Sequence, residues 1–150
     1  MQETPASLAD HCPECGAPLA GGLTCWEQLC AILAWEWQDP ALAAQHFLTV
    51  ASYNLQHPAQ FTDEAITGLR EMFIDVLDNG VPVVELRARA GRAAQGKRRV
   101  RRTKAERKPV LRRWRATITD VHRAGEPEGA AERVKAWATT ICAELRAKNA

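Results

Sequence analysis

Three cysteines at positions 12, 15 and 25, with a histidine at 57, are the residues whose types and spacing most directly imply chemistry. Cys12-Pro13-Glu14-Cys15-Gly16 is a Cys-x-x-Cys-Gly turn. Its two sulfurs can reach one ion, while Gly16 takes a backbone conformation that a side chain would resist. Cys25 follows ten positions after Cys15. The implied chemistry is a structural zinc centre, which orders a loop with little apolar surface of its own. A redox dithiol fits less well, because the motif does not open a helix after a strand. A tetrahedral ion needs a fourth ligand, and the nearby chain offers His11, Cys30, His46 and His57.

The elements that must position these groups narrow the choice. Thr24 and Glu27 form a capping-box pattern, predicting a first helix from about 25 to Gln38. Asp39-Pro40 reads as an N-cap and first helical residue, so a second helix starts at once and runs to about Gln56. Pro58 disfavours helical geometry at His57. The short connection makes the two helices antiparallel neighbours, and the end of the second returns beside Cys25. His46 lies eleven residues before His57, roughly 16 Å along a helix at 1.5 Å per residue, so both cannot bind one ion. The preferred set is Cys12, Cys15, Cys25 and His57. His46 is the main rival, and His11 is weaker because ligands adjacent in sequence crowd a tetrahedron. Cys30, five residues after Cys25, falls on the other side of the helix and is expected to be a buried thiol.

Helical spacing continues along the chain. Trp26, Leu29, Cys30, Leu33 and Trp37 are expected as the packed face of the first helix, and His46, Val50, Tyr53 and His57 as one stripe of the second. That stripe reads either as polar tips satisfied where helices meet or as a ligand-lined cleft or second metal site. Thr62 or Asp63 caps a third helix, ended by Asp78-Asn79-Gly80. A short fourth helix begins near Pro82, a lone strand at Val81–Val84 having no visible partner. A helix near 110–123 is predicted from Val110, Leu111, Trp114, Ile118 and Val121, and a last one near 128–147 from Val134, Trp137, Ala138, Ile141, Cys142 and Leu145. The expected fold is all-α, a compact bundle of five or six helices with an N-terminal zinc-knuckle loop. Residues 1–10 read as a flexible leader, 11–150 as one domain, and about 87–109 as a basic, flexible segment.

Charge is distributed unevenly. Residues 87–115 hold fourteen Arg or Lys against one acid, Glu106, whereas the rest of the chain holds six basic and seventeen acidic residues. Lys97, Arg98, Arg99, Arg101, Arg102, Lys104, Arg107, Lys108, Arg112, Arg113 and Arg115 are the candidate contacts to nucleic acid or another polyanion. The competing reading is a solvated arm that docks on an acidic partner or on the acidic remainder of this chain. Trp114 beside Arg112, Arg113 and Arg115 could serve as a stacking platform, although a core tryptophan is the simpler reading. No run approaches the length of a membrane span, the start lacks a secretory pattern, and five cysteines suit a reducing cytoplasm.

CPECG, Cys25, HFLTVASYNLQHP, Trp114-x-x-Thr117-Ile118 with Val121, and VKAWA at 134–138 together resemble the DUF5946 family of small bacterial proteins. In family terms Cys12, Cys15, Cys25, His46, Tyr53, Gln56, His57 and Pro58 match signature positions. The resemblance implies a shared fold and a shared metal site, and carries no activity with it.

The expected function is therefore a non-catalytic, zinc-stabilised interaction protein. One alternative is nucleic-acid binding through residues 87–115. A second is a zinc-dependent hydrolase with a pocket lined by His46, Tyr53 and His57, where Glu27 or Glu36 serves as general base. Three cysteine ligands argue for a closed site, and no phosphate loop, nucleophile elbow or His-Glu-x-x-His pattern is present.

Overall fold

A computed structural model describes residues 10–19, 22–94 and 99–148. The expected leader lies almost wholly outside the described residues, as do Lys97 and Arg98. Seven α-helices occur among the described residues: α1 (Cys25–Trp35), α2 (Pro40–Ala43), α3 (His46–Gln56), α4 (Asp63–Asn79), α5 (Val83–Ala94), α6 (Ile118–His122) and α7 (Ala130–Lys148). Among these residues there is no strand, only two isolated bridges, His11 with Pro18 and Phe61 with Arg101. The all-α expectation is met, and none of the described helices is long and apolar enough to cross a membrane.

Local chemistry explains most boundaries. The Thr24 hydroxyl accepts from Glu27 N at 3.1 Å while Glu27 Oε1 accepts from Thr24 N at 3.0 Å, closing the capping box of α1. Asp39 caps α2 through Leu42 N at 3.1 Å, and Thr62 caps α4 through Ala65 N at 3.2 Å. Gly80 ends α4 in the left-handed region. His57 leaves the helical region at φ −128° and ψ 60°, as the proline after it requires.

α7 is the hub, packing on α2, α3, α4 and α6, while α1 packs chiefly on α6. Val134, Trp137, Ala138, Ile141, Cys142 and Leu145 are all buried, so the expected stripe of the last helix is present and Cys142 is a core thiol. Burial raises the Cys142 pKa. The fourth helix does begin just after Pro82.

Four expectations are corrected. The second helix is two helices, because Gln45 N turns back to Leu42 O and breaks the regular ladder before His46. The core-facing residues of α1 are Cys25, Gln28, Leu29 and Ile32, so Trp26, Cys30 and Trp37 face outward, and Cys30 is not a buried thiol. Trp37 also lies beyond the helix end. The expected 110–123 helix shrinks to α6. Pro109 brings no N–H, Arg112 N, in what would be the first turn, donates to Glu14 O at 2.9 Å, and Arg115 N, which a longer helix would use internally, donates to Glu144 Oε1 at 3.1 Å. Val110 and Leu111 are consequently exposed rather than core.

Residues 99–116 thus form a strap without a helix longer than the single 3-10 turn Lys104–Glu106. Its start is tied by Thr62 N to Val100 O at 2.8 Å and Arg102 N to Gln60 O at 3.0 Å. Its end is tied by Gln56 Nε2, which donates to Ala116 O at 2.7 Å. Gln56 is fully buried and its other end accepts from Trp137 Nε1 at 3.2 Å, linking strap, α3 and α7 through one side chain.

Candidate metal centre

Four ligand atoms, one each from Cys12, Cys15, Cys25 and His57, lie within 4.8 Å of one another, and all four residues are buried. Cys12 and Cys15 come from the knuckle turn, Cys25 from the first residue of α1 and His57 from the residue after α3. Cys12 N donates to Ala17 O at 2.8 Å and Gly16 N to Cys12 O at 3.0 Å, which closes the turn. Gly16 sits at φ +78°, where a side chain is strained.

The spacing fits a tetrahedron. Cys12 Sγ lies 3.6 Å from His57 Nε2, and Cys15 Sγ lies 3.6 Å from Cys25 Sγ. These are opposite edges of the four-atom set. Bonds of about 2.3 Å to sulfur and about 2.0–2.1 Å to nitrogen give tetrahedral edges of about 3.8 Å between sulfurs and about 3.6 Å from sulfur to nitrogen. These two opposite edges match those that a bound metal ion would set.

The surroundings orient the ligands. His57 Nδ1 donates to Tyr53 O at 2.7 Å, which leaves Nε2 as the ring nitrogen facing the sulfurs. Glu14 N and Cys15 N both donate to Cys12 Sγ at 3.5 Å, contacts that stabilise a thiolate. Tyr53 stacks on His57 with centroids 4.2 Å apart, and Trp26 meets Tyr53 edge-on at 6.2 Å. The aromatic pair shields one side of the imidazole. Burial, followed by the nearby thiols, holds the Tyr53 phenol above its usual range and therefore neutral.

The electrostatics demand positive charge. Burial opposes a charged imidazole, but hydrogen bonding with the Cys12 and Cys15 sulfurs outweighs it and raises the His57 pKa to about 10. Hydrogen bonds from Cys15 and Cys25 push the Cys12 thiol far down, while hydrogen bonds with Cys12 and Cys15 push Cys25 far up. With only protons to share, the cluster cannot ionise all its sulfurs. A metal cation among them would allow that, with release of protons on binding.

His46 and His11 stand apart. His46 is half exposed and its Nδ1 lies 2.9 Å from Glu36 Oε1, an ion-pair geometry outside the four-atom set. Tyr53 and His57 are buried against each other, seven and eleven positions along from the half-exposed His46. His11 is exposed in the bridge with Pro18. Glu27 is used as a cap and Glu36 by His46, so neither is placed as a base at the cluster.

Glu14 is the site residue that spacing alone misses, since it occupies a variable position of the motif. Burial raises its pKa, and its Oε2 accepts from Ala59 N at 2.8 Å, pinning the turn after His57 to the knuckle. Its backbone oxygen holds the strap at Arg112. Of the predicted basic contacts, Arg99 pairs with Glu106 at 2.9 Å, Arg102 with Asp63 at 2.7 Å and Arg115 with Glu144 at 3.7 Å. Arg101 lies over the Phe61 ring at 5.4 Å. Arg112 lies 3.7 Å from the centroid of half-buried Trp114, covering the face expected as a stacking platform.

No curated protein and no solved structure matches this chain. The family model described as "Family of unknown function (DUF5946)" matches residues 10–146, which takes in the knuckle, all seven helices but the end of α7, and the strap. The chain belongs to the DUF5946 family.

Proposed function

We propose that this protein is a zinc-stabilised, non-catalytic interaction module of a reducing, cytoplasmic compartment. The observation that carries the reading is the closed Cys3His set: all four corners of the tetrahedron come from buried protein atoms. Three thiolates and an imidazole suit zinc, which has no redox chemistry and accepts tetrahedral sulfur and nitrogen ligands. A closed set leaves no position for a reactive water, which sets it apart from hydrolytic zinc sites. All five cysteines are free, a state that a reducing compartment maintains.

The ion would act on folding. Cys12 and Cys15 precede α1, Cys25 opens it and His57 follows α3, so one centre joins the knuckle to the ends of two helices. The hydrolase alternative needs His46, Tyr53 and His57 around one cavity, and the outward His46–Glu36 pair does not supply it.

Cys15→Ala tests the reading. Cys15 is fully buried and carries no role other than that of ligand and turn residue. The variant is expected to lose bound zinc by more than the about 10–100-fold typical of losing an outer-shell partner, and to unfold at lower temperature. Undiminished zinc with unchanged unfolding would reject the centre.

A further inference from the structure

The strap's cations fall into three groups, of which Arg101 and Arg112, lying over the rings of Phe61 and Trp114, are one. Arg99, Arg102 and Arg115 are neutralised by Glu106, Asp63 and Glu144. Lys104, Arg107, Lys108 and Arg113 have no acidic partner among the described residues, and all four are exposed. They flank Val110 and Leu111, which are 76% and 46% exposed, and the Arg112–Trp114 stack. An extended ribbon with unpaired cations, exposed apolar side chains and one cation–aromatic stack is therefore presented on one stretch of chain.

We propose that residues 104–114 form a binding surface for single-stranded nucleic acid. This rests on the interaction reading above and names its partner. The uncompensated cations suit a phosphate backbone, whose negative charges recur along its length. Val110, Leu111 and the Arg112 guanidinium over Trp114 suit base faces, which pack on apolar and stacked groups without regard to sequence. Duplex reading is disfavoured, because the strap offers neither a helix nor a β-ribbon to enter a major groove. A lipid surface is the weaker match: interfacial binding uses an amphipathic helix with large exposed apolar groups, and the strap's one tryptophan is half-buried under Arg112.

The metal knuckle holds this surface in place. Arg112 N is tied to Glu14 O between the two knuckle cysteines, and a Cβ on Gly16 would lie 3.4 Å from Arg113 Cγ. Arg113 and Arg112 are thus seated on the turn that carries two metal ligands. The start of the strap is tied to Gln60 and Thr62, three and five positions beyond His57.

The test is fluorescence anisotropy of a labelled oligouridylate against the full chain, with zinc measured on the same sample. Four neutralised phosphates give a slope of log affinity against log salt of about −2.8, or about 50-fold weaker binding at about 200 mM than at about 50 mM salt. The combined variant Lys104→Ala, Arg107→Ala, Lys108→Ala, Arg113→Ala is expected to lose that binding and its salt dependence. Lys108→Glu alone weakens it, and Arg89→Ala, whose arginine lies on α5 and pairs with Asp75 of α4, leaves it unchanged. Native affinity in the fourfold variant overturns the proposal, as does preferential, salt-sensitive capture by phosphatidylserine vesicles over the oligonucleotide. A zinc-loaded chain that ignores the oligonucleotide overturns the surface and leaves the metal reading standing. A zinc-free chain that binds it through the four cations supports the surface and overturns the metal reading.

Discussion

Gln56→Leu is the most informative single change to the scaffold. Gln56 is only 1% exposed, donates to Ala116 O at 2.7 Å and accepts from Trp137 Nε1 at 3.2 Å. Leucine keeps the bulk but leaves a backbone carbonyl and an indole N–H without their partner in the interior. Each orphaned group costs about 1–3 kcal/mol, and the added apolar contact of leucine offsets part of this, so the net loss is about 2–4 kcal/mol. For a chain of this size that lowers the melting temperature by about 5–15 °C. Zinc content is expected to remain, because the amide is not a ligand. Thermal unfolding by circular dichroism reads the loss, and a Gln56→Leu, Trp137→Phe double variant in a mutant cycle reads the coupling between the two side chains. A shift below about 2 °C would refute the claim that this amide joins α3, α7 and the strap.

Two further outcomes follow from the same geometry. His46→Ala and His11→Ala retain zinc while His57→Ala loses it, read by metal analysis of each purified variant; zinc loss in His46→Ala would overturn the ligand assignment. His122 is buried, stacks on Trp35 at 5.6 Å, and is held below its ordinary pKa by that burial. As pH falls through about 6.5 the unfolded chain takes up a proton that the folded chain refuses, so stability declines until the folded pKa is passed. NMR titration should place this ring below about 6.5, and a value above that would refute the burial argument.

How much of this was legible in the sequence depended on whether the governing contact was local. Thr24 with Glu27, Asp39 before Pro40, and Pro58 after His57 each act within a few residues, and the cluster of three cysteines with His57 follows from them and from the rise of a helix. The orientation of α1 was not local. Apolar spacing grouped Trp26, Cys30 and Trp37, but the buried face is completed by Gln28, a polar residue that periodicity discounts. The missing helix at 110–117 has the same origin. Its amides are taken by Glu14 and Glu144, from 98 positions earlier in one case and 29 later in the other, and no window of sequence contains that competition. The separation of paired from unpaired arginines likewise needs the fold, since Arg102 is neutralised by an aspartate 39 residues away.

The most direct test of the account is X-ray absorption at the zinc edge on protein purified without a metal-binding tag. The proposed centre predicts a single four-coordinate zinc with three sulfurs at about 2.3 Å and one imidazole nitrogen at about 2.0–2.1 Å. A shell containing an oxygen from water, two imidazoles, or no stoichiometric zinc at all would contradict the closed structural centre.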